Sequence, residues 1–432
     1  MGAKQKIVVI GNGMVGHKFI DSLVKSDVAA DYHVVTFSEE SRLAYDRVQL
    51  SKYFSGSGAD DLMLTSGDYY HSNGVDYILN DEVVELDRDN KTVTTQSGRT
   101  EAYDQLVLAT GSFPFVPPVP GNDLEHCQVY RTIEDLQAIT ASAEHSKVGV
   151  VVGGGLLGLE AASALKNLGL KTHVVEFAPR LMAVQLDDGG GALLRSKIEA
   201  LGVDVHTGKN TLEIVAGKVC RYRMNFADGE SLETDMILFS AGIRPRDNLA
   251  REFGLDLGSR GGIKINNYCQ TTSNGEVQQD IYAIGECALW ENRIFGLVAP
   301  GYQMAKVALD NILGGSDGSC AEFTGADMST KLKLLGVDVA SVGDAQGQTP
   351  GCKSYVYSNE QDEIYKRLVI SADGKKIVGA VLVGDVDAFG TLQQMFINDM
   401  AILGSPEALI LPSLNGEASA GLGIEALPES AQ

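Results

Sequence analysis

Two glycine-rich stretches carry the residue types best suited to chemistry in this chain: "VVIGNGMVGHKF" from Val8 and "VVGGGLLGLE" from Val151. Gly11, Gly13 and Gly16 form G-x-G-x-x-G, and Gly153, Gly155 and Gly158 repeat it. In such a loop the first glycine allows a tight turn and the second lets backbone approach a pyrophosphate. The third lets helix pack closely on strand, and the helix N-terminus faces the phosphate charge. Met14 and Val15 stand with the first set as binding candidates, and Leu156 and Leu157 with the second. Each loop is followed by an acid able to accept the hydroxyls of an adenosine ribose. Glu39 lies 28 residues after Gly11, with Glu40 as the near alternative, and Glu176 lies 23 residues after Gly153.

The elements that must position these residues are legible around both loops. "KIVVI" reads as a strand, "MVGHKFIDSLV" as a helix and "YHVVTF" as the next strand. Around the second loop, "KVGVVV" is a strand, "LLGLEAASALKNLG" a helix closed by Gly169, and "KTHVVEF" a strand ending at Glu176. One such glycine motif is a weak signal. Two in full strand–loop–helix–strand–acid order are specific. The chain is therefore expected to bind two dinucleotides. Two nicotinamide dinucleotides would do no net chemistry, since both carry the same hydride at the same potential. A flavin dinucleotide beside a nicotinamide one can take the hydride and release electrons singly.

Composition sets the frame. At 432 residues the chain has room for two or three domains, and its 44% hydrophobic content is that of a folded protein. A net charge of −22 argues against nucleic acid and against an anionic membrane surface, and it serves solubility. No apolar run has the length of a membrane span. The chain enters an apolar strand at Ile7, so no signal peptide and a cytoplasmic protein are expected. Cys127, Cys220, Cys269, Cys287, Cys320 and Cys352 show no C-x-x-C or metal-ligand spacing, so they are read as reduced core residues and no metal is expected. The histidines also lack ligand spacing. His17 is expected to be exposed, and no histidine is assigned to catalysis.

"LVLATGSFPFVPP" (106–118), "YRTIEDL" (130–136), "ILFSAGIRPR" (237–246) and "IYAIGECA" (281–288) complete a pattern. With the two loops, the pattern resembles the two-dinucleotide-binding flavoprotein reductases over most of residues 5–420. The resemblance implies an α/β fold of two Rossmann-like domains in the glutathione-reductase arrangement, with an α+β C-terminal domain. The FAD-binding domain would be 1–113 plus 245–317, interrupted by an NAD(P)H-binding domain at 114–244. An interface domain would occupy 318–412, with strands "LLGVDVASVGD", "CKSYVYSN", "IYKRLVISA" and "IVGAVLVGD" and a helix "TLQQMFINDMAIL". Residues 413–432 read as linker. "AYDRVQLSKYF", "FGLVAPGYQMA" and "STKLKLLGVDV" extend the resemblance to the flavin region of the NAD(P)H-dependent assimilatory nitrite reductase large subunits. That family continues into iron–sulfur and sirohaem segments, and this chain ends before the corresponding cysteines.

The resemblance also implies roles. Lys52 and Glu160 would face one another near flavin and nicotinamide and tune the flavin. Their structural readings are a surface lysine and a helix-start acid. Arg47 and Arg131 would contact the FAD phosphate or ring. Val83, Ala109, Thr110 and Gly111 would line the FAD site, as would Gly285, Glu286 and Leu297. Glu286 stands where the wider family has aspartate, at the ribityl chain. The helix from about Pro300 would aim its amides at the flavin pyrimidine. Gly242 would join the nicotinamide nucleotide site. Glu176 favours NADH, because a carboxylate repels a 2′-phosphate, whereas nearby Arg180 leaves NADPH as the second donor. Disulfide reductases of this architecture carry redox cysteines in the first domain, whereas the first cysteine here is Cys127, and where a peroxide- or coenzyme A-disulfide-reducing relative would place its thiol this chain reads "LAYDRVQLSK". Electrons should therefore pass to iron–sulfur and sirohaem domains or to a small carrier protein, and a homodimer is a further partner. Two alternatives remain: a stand-alone ferredoxin- or rubredoxin-type reductase, and an NADH-sensing flavin-bound interaction module.

Overall fold

The computed structural model describes residues 4–315 and 320–412. The linker expected at 413–432 lies outside the described residues. The chain divides into two compact units, Met1–Pro114 with Ile243–Ala326 and Phe115–Gly242 with Asp327–Gln432.

The first unit is built on a six-stranded sheet. Its central strand, Gln5–Ile10, pairs in parallel with Tyr32–Phe37 on one side and Gln105–Leu108 on the other. Val75–Ile78 and Glu276–Ala283 continue the sheet outward, and Gln270–Ser273 pairs antiparallel at its edge. Ile7, Val8 and Val9 are wholly buried. A continuous apolar run of that kind marks a parallel strand covered on both faces. The helix Met14–Val24 turns Gly16, Phe19, Ile20 and Leu23 inward, a spacing of three and four that gives one apolar face. The crossover and return segments meet as an antiparallel pair, Ser112–Pro114 with Ile243–Pro245.

The second unit repeats the plan. Val148–Val152 lies between Lys171–Glu176 and Met236–Phe239 in a five-stranded parallel sheet. The helix Leu156–Asn167 runs to Gly169, whose φ of +85° is a conformation glycine adopts without strain. Thr132 caps the helix Ile133–Ala143 in a reciprocal capping box with Asp135.

The same unit carries a five-stranded antiparallel sheet built from residues 330–383. Two details depart from the sequence reading. "LLGVDVASVGD" is not one strand: Thr330–Leu334 and Val337–Gly343 form a hairpin, with Leu335 and Gly336 both at positive φ. That is the primed two-residue turn that matches strand twist, although leucine is an unusual residue to open it. The C-terminal helix runs Phe389–Ile397 rather than through "TLQQMFINDMAIL". It stops where Asp399 takes φ +52° and Ala401 bridges to Lys376. Among the described residues, no helix is long and apolar enough to cross a membrane.

Candidate functional site

The two loops fold as near copies. Gly11 N donates to Phe37 O at 2.8 Å, and Gly153 N to Val175 O at 2.8 Å, so each loop is tied to the strand that ends in its acid. A Cβ on Gly11 would sit 2.2 Å from Ala109 O, and one on Gly153 2.2 Å from Ser240 O. The third glycines are as tight: 2.1 Å from Gly16 to Gly11 O, and 1.9 Å from Gly158 to Gly153 O. Only the middle glycines face open space, with nothing within 4 Å of a Cβ on Gly13 or Gly155. Each caps its helix, Met14 or Leu156 following, with no side-chain bond on the first amides. Two closed glycines flanking an open one, below free helix amides, form a cradle that fits a pyrophosphate.

The expected FAD residues from 11–111 and 285–297 all lie in the first unit. Asn12 is buried in the loop. Its Nδ2 donates to Thr36 Oγ1 at 3.4 Å and Tyr70 Oη at 3.2 Å, and its Oδ1 accepts from Ala44 N at 3.0 Å. Tyr70 Oη also meets His17 Nδ1 at 2.9 Å. His17 is therefore half-buried, not exposed as expected, and burial lowers its pKa. A neutral ring accepting from the tyrosine hydroxyl satisfies this network. Sequence reading missed Asn12 and Tyr70, and their separation of 58 positions left no local signal.

Gly285 has φ +80° and its Cα region abuts Val15; Gly301 meets the same valine and Gly285. This three-way contact seats the start of the helix Val298–Leu313, capped by Leu297, beside the first loop. Glu286 accepts from Ser112 Oγ at 2.7 Å. Thr110 Oγ1 donates to the carbonyl of Arg246 at 2.6 Å, and Gly111 O accepts from Arg246 N. Val83 is buried in a small antiparallel sheet. Lys52 is exposed on the turn Arg47–Ser55. The acids at the strand end are paired: Glu39 with Arg246, and Glu40 with Arg47 and with Tyr45 Oη. Arg47 also lies over the Tyr45 ring, 4.6 Å from its centroid.

The second cradle is electrostatically different. Glu176 accepts from Gly154 N at 2.5 Å and Ala178 N at 2.6 Å, and no cation pairs with it among the described residues. Arg180 is committed elsewhere. Its Nε donates to Leu186 O at 2.9 Å, and its two amino groups to Asp188 at 2.7 Å and Gln346 Oε1 at 2.9 Å. Glu160, on the first turn after Gly158, has no hydrogen-bond partner among the described residues, and burial pushes its carboxyl up to about 7. Gly242, at φ +108°, accepts from Phe115 N. Arg131, expected at the flavin, lies in this second unit, where its backbone N donates to Asp135. Lys52 and Glu160 also lie in different units.

The cysteines are free, and against the reading of all six as core residues Cys320 is exposed and Cys127, Cys220 and Cys352 are half-buried. Cys269 and Cys287 are buried, and burial pushes the Cys269 thiol up to about 12. Such thiols are small core residues rather than nucleophiles. No group of histidine, cysteine and acid side chains among the described residues could hold a metal.

The chain resembles known proteins in sequence and in fold. The chain is 54% identical over 431 residues to the nitrite reductase (NADH) large subunit of Escherichia coli, covering 100% of this chain and 50% of that protein. It is 56% identical over 429 residues to the nitrite reductase [NAD(P)H] large subunit of Klebsiella oxytoca, covering 99% and 44%. The chain thus spans about half the length of the curated relatives it matches. Among solved structures, the covalent putidaredoxin reductase–putidaredoxin complex superposes with a TM-score of 0.80 at 21% identity, over 94% of this chain and 96% of that one, which shows the fold. Residues 329–399 match the Rubredoxin NAD+ reductase C-terminal domain. Residues 5–311 match the Pyridine nucleotide-disulphide oxidoreductase family, and the chain belongs to that family.

Proposed function

We propose that this chain is the NADH-oxidising flavin region of a nitrite reductase large subunit, the part through which electrons enter. The observation that carries the reading is the pair of matched cradles in which only the first has arginine-paired acids. FAD fits the first cradle: Gly13 leaves open space over the helix amides, and Glu39, Glu286 and Arg47 are the polar groups gathered around it. When bound, FAD would supply the two-electron hydride acceptor that can also release single electrons.

The chain's own residues bind and orient. Gly153, Gly155 and Gly158 with the amides of Leu156 and Leu157 receive the NADH pyrophosphate. Glu176 accepts the adenosine ribose hydroxyls while its two amide bonds hold it in place. A 2′-phosphate would meet an unpaired carboxylate there, and Arg180 is already committed to Leu186, Asp188 and Gln346. NADH is therefore the preferred donor. Lys52 would act at the flavin by its charge, and Glu160 at the nicotinamide nucleotide by a carboxyl that exchanges its proton near neutral pH. An iron–sulfur and sirohaem acceptor outside this chain would then take the electrons. The domain boundaries that fit this reading are 1–113 with 245–317 for FAD, 114–244 for NAD(P)H and 318–412 for an interface.

Anaerobic mixing of the FAD-loaded chain with NADH, and separately NADPH, followed at about 450 nm, tests the reading. Rapid bleaching by NADH alone supports it, and no bleaching by either donor overturns it. Nitrite-dependent NADH oxidation by this chain alone would contradict the placement of the acceptor. The match of residues 329–399 to the rubredoxin reductase C-terminal domain favours a second reading, reduction of a small iron–sulfur carrier protein. Fast reduction of added rubredoxin would distinguish it.

A further inference from the structure

Arg246 enters the reading above only as the partner of Glu39, and the fold fixes it to the first cradle. Its N donates to Gly111 O at 2.9 Å, and its carbonyl accepts from Thr110 Oγ1 at 2.6 Å. Ala109, the next residue upstream, closes against Gly11. From this clamp the guanidinium reaches Glu39, 207 residues away in sequence, and pairs with its carboxylate. Both side chains keep about a third of their surface exposed, 31% for Arg246 and 34% for Glu39, so the pair borders solvent on one side. The Arg246 Nε is buried without a hydrogen-bond partner among the described residues.

Charge explains why such a pair would be kept. A dinucleotide brings two negative phosphates to the cradle. A bare carboxylate at the ribose would add a third charge at short range and repel the ligand it must hold. A planar guanidinium on one carboxylate oxygen offsets that charge and leaves the other oxygen free for a hydroxyl. At the second cradle Glu176 has no such partner, and that site must release its nucleotide every cycle.

We propose that Arg246 is a positioning residue for the resident dinucleotide: it orients and neutralises Glu39, so that the first cradle retains an adenosine diphosphate group which the second releases. The proposal rests on the reading that the first loop holds FAD.

Titration of FAD into the apoprotein, followed by quenching of flavin fluorescence, tests it. Arg246→Gln should weaken FAD binding about tenfold, because a charge-assisted contact is lost and a carboxylate is left unpaired. Arg246→Lys should recover most of that loss, and NADH binding should be unchanged in both. FAD affinity of Arg246→Gln within about twofold of the parent protein, less than one ordinary hydrogen bond is worth, overturns the proposal. So does a fall in apoprotein unfolding temperature and FAD affinity that Arg246→Lys fails to rescue, since that marks a structural clamp. If Arg246→Gln does not fold, Glu39→Ala carries the test, and undiminished FAD affinity in that variant overturns it, since Arg246 would then have no ribose acceptor to position. An unsubstituted protein that takes up no FAD removes the flavin reading itself, an outcome distinct from one in which only Arg246 proves dispensable.

Discussion

At the first cradle the strand-end acids are each held by an arginine, Glu39 by Arg246 and Glu40 by Arg47. At the second, Glu176 is held by the backbone amides of Gly154 and Ala178, and the nearby arginine turns away. The glycine geometry of the two is nearly identical, with first-glycine contacts of 2.2 Å in both. On the proposed reading the backbone provides a generic pyrophosphate seat, and the side chains around the acid would decide whether a nucleotide stays or leaves. A second contrast lies on the helices. Two residues past the third glycine, the first helix has exposed Lys18 and the second has partly buried Glu160.

The largest effect should come from breaking the shared backbone. Gly16→Ala and Gly158→Ala each force a methyl to about 2 Å from a carbonyl oxygen, and each should cost about 3 kcal/mol in urea unfolding. Gly13→Ala and Gly155→Ala meet nothing, so stability should hold while nucleotide binding falls. Equal loss of stability in all four variants would break the claim that the middle glycines face the ligand.

The contrast between Lys18 and Glu160 gives a pH dependence. The Glu160 carboxyl is raised to about 7 by burial, so the folded state holds its proton more tightly than the unfolded chain. Stability from this group is fully present below the unfolded carboxyl pKa and is lost as pH rises toward and through 7, by up to ~3 kcal/mol. Unfolding midpoints of the parent protein and Glu160→Gln, measured between pH 5 and pH 8, should diverge with the parent falling. Parallel curves would remove the buried-carboxyl description.

Glu176→Gln should shift the NADPH-to-NADH preference by about tenfold toward NADPH, because the repulsion of a 2′-phosphate disappears while an amide acceptor remains. The ratio of flavin reduction rates with the two donors measures it. The smallest effect is expected at Arg180. Arg180→Ala should lower stability by about 1 kcal/mol through its lost bonds to Leu186, Asp188 and Gln346, and leave donor preference unchanged. A change in preference would show that this arginine does serve the nucleotide.

Both cradles were legible because their signals are short-range. A strand, three glycines within six residues, a helix and an acid at the next strand end are all contiguous in sequence. The hairpin at Leu335–Gly336 was missed because a leucine at positive φ gives no turn signal. The sequence reading overruns the end of the C-terminal helix because Met400 falls at helical spacing from Phe396, while the backbone leaves the helix to bridge Ala401 to Lys376.

The sequence by itself determined that two strand–loop–helix units with a trailing acid form, since each is set by local spacing and backbone sterics. Only the tertiary structure decided what surrounds the acids. Arg246 reaches Glu39 across 207 residues, Arg180 reaches Gln346 across 166, and Tyr70 buries His17 across 53. Those pairings follow from strand order in the sheets and from the antiparallel meeting of Ser112–Pro114 with Ile243–Pro245. The charge at each cradle is thus a property of chain topology, which local spacing does not encode.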